Sequence, residues 1–381
     1  MSSDRSNPEY RKPQWLIHAL AALGLMAGLS ACNGGSSTTL APPSSTSTPP
    51  AVADPWNPPL GDVLEGVTFA DGWGELHELP APVQTQGGWT DSLMAAPSGL
   101  KLYYAYSRYD FFDFYISNGA QQTVTGPANG LSGNTFKIFE ADLSASGWTA
   151  ALSSMNSSDP SIVEASPAVN VSGDLMIYTQ FNTYTGRASL YYANLSNGTW
   201  VPGGILGFNS EACNDDNAKI VGEMTTTVTI YFESNRANDA GTGTSCNTNR
   251  NLYYTTYSNG SFTPVKPVPG IAVSGSDDSQ PFITADQNTL YWTSVRNGTY
   301  GIFTATRQND GSFGNIHAIA TPTLAAPFSG KIALLGEASV VSLSQGKLLY
   351  MMCGEAENLH NGQTWHDADF IALKPCVAKL P

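Results

Sequence analysis

Apolar and polar residues alternate in short runs along most of the chain, and turn residues break the runs every few positions. Glu164–Pro202 shows this most plainly. Its runs are Ala168–Val171, Leu175–Gln180 and Ser189–Leu195, and Trp200 opens a fourth. Period-two alternation with β-branched and aromatic residues predicts strands. Asn197-Gly198 predicts a tight hairpin, because a two-residue loop needs φ > 0 and both residues tolerate it. Four such strands make one meandering sheet, which alone could bury neither face.

The unit recurs. DSLMAAPSGLKLYYAYSRYD with FKIFEADLSASGW precedes it; VTIYFESNR with NLYYTTYSNGSF, DSQPFITADQNTLYWTSVR with GIFTATRQNDGSF, and EASVVSLSQGKLLYMMC with DFIALKP follow. The turn before the fourth strand repeats as Ser146-Gly147-Trp148, Asn197-Gly198, Asn259-Gly260 and Asp310-Gly311. Five units at this period predict a radial array. The expected fold is all-β: a five-bladed propeller of four-stranded antiparallel blades. The last unit ends after Asp369–Leu373 without a fourth strand. Val67–Trp73 reads as one more third strand and turn, and Glu75–Pro82 as a fourth strand. That fourth strand is expected to complete the last blade and close the ring, which would otherwise leave two open sheet edges.

Composition adds 37 Gly and 24 Pro, no long amphipathic run, and a formal charge of −14. Nucleic acid is excluded as a partner, since phosphate binding needs clustered Lys and Arg. Asn33 to about Pro58 is Gly, Ser, Thr and Pro, too polar to offset its ordering entropy, and reads as a flexible tether. Residues 1–31 read as an export signal: Arg11 and Lys12 precede an apolar Trp15–Gly28. The following Leu29-Ser30-Ala31-Cys32 resembles the bacterial lipobox. That resemblance implies cleavage before Cys32 and lipidation of its thiol; an ordinary cleaved signal is the alternative. Asn33 at the next position implies outer-membrane retention, so the chain is expected in the envelope, on the periplasmic or surface face. The expected division is a signal at 1–31, a lipidated Cys and tether at 32–60, and a propeller at 61–381. Four cysteines remain, and an even count in an exported chain predicts two disulfides. Cys213 and Cys246 fall at one end of unit three, which leaves Cys353 for Cys376.

Glu164–Pro167 and Asp278–Pro281, with Ser234-Asn235-Arg236 and Ser294-Val295-Arg296 after a Leu-Tyr-Phe/Trp-like run, resemble TolB-type WD40-like propeller repeats. The resemblance covers about residues 61–381 and implies a propeller, not one function. Unit three lacks the proline, and units one and five lack it at that position.

Aligning the units on their second strands sets Asp91, Glu164, Asn217, Asp278 and Glu337 at the start of the five first strands. First strands are innermost, so these side chains are expected around one channel mouth. Close carboxylates repel unless a cation or donors intervene. The ring reads as a site for a cation, an amine or sugar hydroxyls, or as five caps on strand-entry turns. A structural Ca²⁺ is a further reading, and no other cofactor is expected. Several five-bladed propeller glycosidases also ring the channel with carboxylates. By that resemblance Asp91 would be base or nucleophile, and Glu164 or Glu337 the acid.

The longest insertion, about Arg108 to Thr135, carries Tyr109, Phe111, Phe112 and Tyr115, aromatics suited to stacking on sugars or anchoring a protein. Its counterpart in unit five holds Glu355, Glu357, His360, His366 and Asp367, in a spacing that matches no metal motif. The expected function is therefore binding of a protein or glycan partner by a membrane-anchored propeller. A carbohydrate-active enzyme using the mouth carboxylates is the alternative.

Overall fold

Two short strands, β1 (Val67–Phe69) and β2 (Leu76–Glu78), precede five antiparallel sheets. The first sheet is β3 (Trp89–Ala95), β4 (Lys101–Ser107), β5 (Lys137–Ser144) and β6 (Gly147–Leu152). The second is β7 (Ile162–Val169), β8 (Leu175–Asn182), β9 (Arg187–Ser196) and β10 (Thr199–Ile205). The third is β11 (Asp215–Gly222), β12 (Thr227–Arg236) and β13 (Cys246–Ser258), with its outer strand split into β14 (Ser261–Phe262) and β15 (Lys266–Pro267). The fourth is β16 (Asp278–Ile283), β17 (Thr289–Ser294), β18 (Gly301–Arg307) and β19 (Phe313–Pro322). The fifth is β20 (Lys331–Leu343), β21 (Gly346–Leu359) and β22 (Ala368–Leu380), with β2 outermost. The computed structural model describes residues 53–84, 89–107, 136–159, 161–182, 185–223, 227–237, 245–273, 275–323, 331–359 and 368–381. Among these there is no helix, and the sheets are the blades of a five-bladed β-propeller.

The second strands explain why the blades stack. Each carries a continuous apolar run, because both of its faces are covered. In β17, Leu290 and Trp292 face the third blade, while Tyr291 faces the fifth. In β21, Leu348, Tyr350 and Met352 face the first blade, and Leu349 and Met351 the fourth. The buried apolar residues fall into five clusters, one at each junction between neighbouring blades. Hairpin chemistry follows the sequence: Asn197 and Gly198 take φ of 51° and 75°, and Asn259 and Gly260 take 52° and 82°.

The N-terminal segment does two things, of which one was expected. β2 pairs with β22 (His77 opposite Val377) and supplies the outer strand of the last blade. Lys374 Nζ reinforces that seam, bonding Glu78 at 3.0 Å and Glu355 at 2.6 Å. β1 is not a third strand of a further unit. It pairs with β19 (Thr68 opposite Thr321) as a fifth strand of the fourth blade. Three residues are too few to build a blade, but Val67 and Phe69 reach the apolar cluster between blades four and five. Disulfides join Cys213 to Cys246 and Cys353 to Cys376, as expected.

Candidate functional site

Every first strand breaks its ladder at the same place. Asp91 pairs with Ala105 and Met94 with Tyr103, so three steps on β3 match two on β4. The same jump occurs at Ala165/Ala168, Asp216/Lys219, Ser279/Phe282 and Gly336/Ser339. One extra residue per strand is a β-bulge, which re-aims a side chain. The bulged residues Ser92, Ser166, Asn217, Gln280 and Glu337 all take left-handed φ, between 48° and 59°. A cavity of about 610 Å³ lies on one side of them and one of about 40 Å³ on the other, and all five line both. They therefore form a neck that divides the central channel.

Hydrogen bonds tie the neck across every blade junction. Ser92 Oγ meets Ser166 Oγ at 3.4 Å, and Ser166 Oγ donates to Asp216 Oδ1 at 3.2 Å. Gln280 N–H donates to Glu233 at 2.7 Å, and Glu337 N–H to Gln280 Oε1 at 3.1 Å. Ala95 N–H donates to Ser339 Oγ at 3.0 Å, which closes the ring. Gly336 makes room for this: a Cβ there would sit 2.7 Å from Gln280 Oε1.

The bulges also set the register, and the five residues expected at one position do not share it. Asn217 and Glu337 are bulged residues, Asp91 stands one residue earlier, and Glu164 and Asp278 two earlier. Asp91, Asn217 and Glu337 line the larger cavity, whereas Glu164 and Asp278 do not. Glu164 pairs with Lys137, and Asp278 with Arg296 at 2.9 Å. The third-blade counterpart of these two is Asp215, held by Arg236 at 2.6 Å. Two arginines of the Ser-x-Arg motif thus neutralise the acid that opens their own blade. Tyr109, Phe111, Phe112 and Tyr115 lie outside the described residues, as do His360, His366 and Asp367. Glu355 is bonded to Lys374.

The cavity contains groups that alignment on the second strands missed: Asp216, Glu233, Arg250, Asp277 and Tyr300. Arg250 Nη1 lies 3.1 Å from Glu233, and the Arg250 backbone N–H donates to Asp277, which also accepts Tyr300 O–H at 2.8 Å. A usable signal was present. Aligning on Pro167 and Pro281 sets Glu164 with Asp278, and carries Asp215 and Asp216 into register ahead of Ala218.

Burial dominates the electrostatics. It pushes Glu233 up to about 7, against the opposing pull of Arg250. It holds Asp91 at about 6 and Glu337 well above the ordinary carboxylate range, and the Asp91 charge adds to the Glu337 shift. Asp91 and Glu337 both line the cavity and lie close enough that each bears on the other's titration. On the far side of the neck Lys219 is buried, its Nζ 4.2 Å from the Phe282 ring centroid and bonded to Met94 Sδ, and burial lowers its amine to about 7. Carboxyls that titrate near neutrality in a cavity can give or take protons there. Among the described residues no three or more His, Cys, Asp and Glu groups are placed to hold a metal ion.

No protein-family model matches the chain, and no curated protein matches it. Among solved structures it is similar to TolB from Acinetobacter baumannii (TM-score 0.37, 15% identity, 76% of this chain and 54% of that one). It is also similar to xylan β-1,4-xylosidase from Bacillus halodurans C-125 (0.44, 15%, 80% and 54%). A third is α-L-arabinanase from Penicillium chrysogenum complexed with arabinobiose (0.39, 10%, 84% and 98%). The chain spans about half the length of the first two. Likeness this distant concerns the propeller and carries no argument about function.

Proposed function

We propose that this is a lipid-anchored envelope protein whose propeller takes the end of a glycan into the larger channel cavity. The observation that carries the reading is the cavity itself: about 610 Å³, floored by the bulged residues, and lined by carboxyl, hydroxyl and amide groups. That volume suits a small ligand, for which pockets run to roughly 300–1,000 Å³. Sugar hydroxyls match such acceptors. A protein partner would favour a broad apolar face. The exposed apolar residues Leu152, Val201 and Ile205 lie instead on the outer strands β6 and β10.

Asp91 and Glu337 favour a second reading, glycoside hydrolysis. Both line the cavity and burial raises both, so they can serve as an acid and a base in one place, and hydrolysis needs two carboxyls. In that reading Asp91 is the base or nucleophile and Glu337 the acid, since Glu164 is engaged with Lys137 outside the cavity.

A short-oligosaccharide library, scored for binding and for cleavage products, tests both readings. Binding without products supports the receptor, and products that disappear in Glu337→Gln support the hydrolase. If no saccharide binds, both fail. The anchor has its own test. Cys32→Ser is expected to leave the melting curve unchanged and to release the protein from membranes. A variant that stays with membranes through a carbonate wash contradicts the lipoprotein reading.

A further inference from the structure

Among the described residues, the larger cavity is lined by five carboxyl groups, Asp91, Asp216, Glu233, Asp277 and Glu337, and by one cationic side chain, Arg250. That cation is already engaged: its guanidinium is paired with Glu233. Asp216 is neutralised only by hydrogen bonds. Thr179 O–H, Ser166 O–H and Asn217 N–H all converge on its Oδ1, which leaves Oδ2 without a donor among the described residues. Asp91 Oδ2 accepts Ser92 O–H at 3.3 Å. No Lys or Arg among the described residues forms an ion pair with Asp91, Asp216 or Glu337. Lys219 is the amine on the other side of the neck, and its Nζ is turned to Met94 and Phe282.

Glu337 sharpens the imbalance. Its side chain is 8% exposed, it lines the cavity, and its Oε2 is buried with no hydrogen-bond donor among the described residues. An unpaired buried carboxylate oxygen is costly unless a partner arrives. Asp216 is near enough for its charge to act on Asp91, Glu233 and Glu337 alike. One positive charge entering here would thus relieve several carboxyls together. The described acids do not converge as the shell of a metal ion. An ammonium makes no such demand, because it brings three N–H donors and one charge on a single atom.

We infer that the ligand of the channel mouth carries a primary ammonium group, which seats against Glu337 Oε2 beside Asp91 and Asp216. The inference rests on the glycan reading for its ligand class: an amino sugar whose amine is not acetylated. On binding, the ammonium supplies the counter-charge that these carboxyls otherwise lack. The Glu233 and Asp277 side of the cavity offers its carboxyl oxygens to the hydroxyls.

Calorimetry on the full chain in detergent, near pH 6.5, tests this with three probes: a β-1,4-linked glucosamine tetramer, its fully N-acetylated counterpart, and spermidine. The glucosamine tetramer is expected to bind at least about tenfold tighter than the acetylated one. Glu337→Gln should remove that preference, and Asp91→Asn carries the same arm if the first variant does not fold. Equal or tighter binding of the acetylated tetramer overturns the ammonium inference and leaves the glycan reading standing. Binding of spermidine but of neither saccharide supports the ammonium and overturns the glycan reading. Silence from all three overturns the inference.

Discussion

Arg236→Met is expected to destabilise the propeller by about 3–5 kcal/mol, a loss typical of stranding a buried charge. Arg236 and Asp215 are fully buried. Arg236 Nη2 bonds both Asp215 oxygens, at 2.6 and 2.7 Å, and Nε bonds Ser234 Oγ at 3.1 Å. Its guanidinium also lies 5.3 Å from the Phe232 ring and 5.6 Å from that of Tyr253. Methionine replaces the packing but not the charge, so Asp215 is left buried without its counter-charge. Adding Asp215→Asn removes the stranded charge, and the double variant is expected to recover part of the loss. Denaturant midpoints of the four proteins give the coupling, and strictly additive losses would show that the pair does not act as a unit. The half-exposed Lys101 pair with Glu140 and Asp142 sets the contrast. Removing it should cost under about 1 kcal/mol, because water already screens it.

Lys219→Met is expected to stabilise the protein, by roughly 2–4 kcal/mol near pH 7. Lys219 is 6% exposed and has no carboxylate partner, and burial lowers its amine from an ordinary 10.5 to about 7. Between those values the unfolded chain holds a proton that the folded chain does not. Wild-type stability should therefore rise as pH climbs from about 7 to about 10.5. The variant lacks that rise, so its advantage should shrink across the same window. Glu233 works in the opposite sense: its carboxyl is raised to about 7, so its contribution falls as pH rises towards 7. A melting series from pH 6 to 10 checks the lysine. A constant gap between the two proteins would mean that Lys219 keeps its charge in the fold.

The blades were legible because their signals are local. Leu-Tyr-Tyr and Leu-Tyr-Trp runs require cover on both faces, and Asn-Gly turns require positive φ. The site was harder to read because it depends on one extra residue per first strand. No glycine marks that bulge: Ser92, Ser166, Asn217, Gln280 and Glu337 adopt the left-handed conformation themselves. A one-residue change of register moves a side chain to the other face. Acids set in line by the second strands therefore belong to two populations. Glu164 and Asp278 neutralise a basic residue within the fold, while Asp91 and Glu337 face the cavity. Glu233 and Arg250 come from second and third strands, where apolar runs draw the eye to packing. Their pairing arises only when the blade folds. β1 was misread for a related reason: a three-residue strand takes its partner from tertiary packing, not from its own pattern.

If the cavity above the bulged residues is the ligand site, a crystal structure of the full chain with a bound short oligosaccharide will show a sugar unit over the neck, with polar atoms in hydrogen-bond reach of Glu337 and Asp91. A sugar held on the outer strands, with the cavity empty, would contradict it.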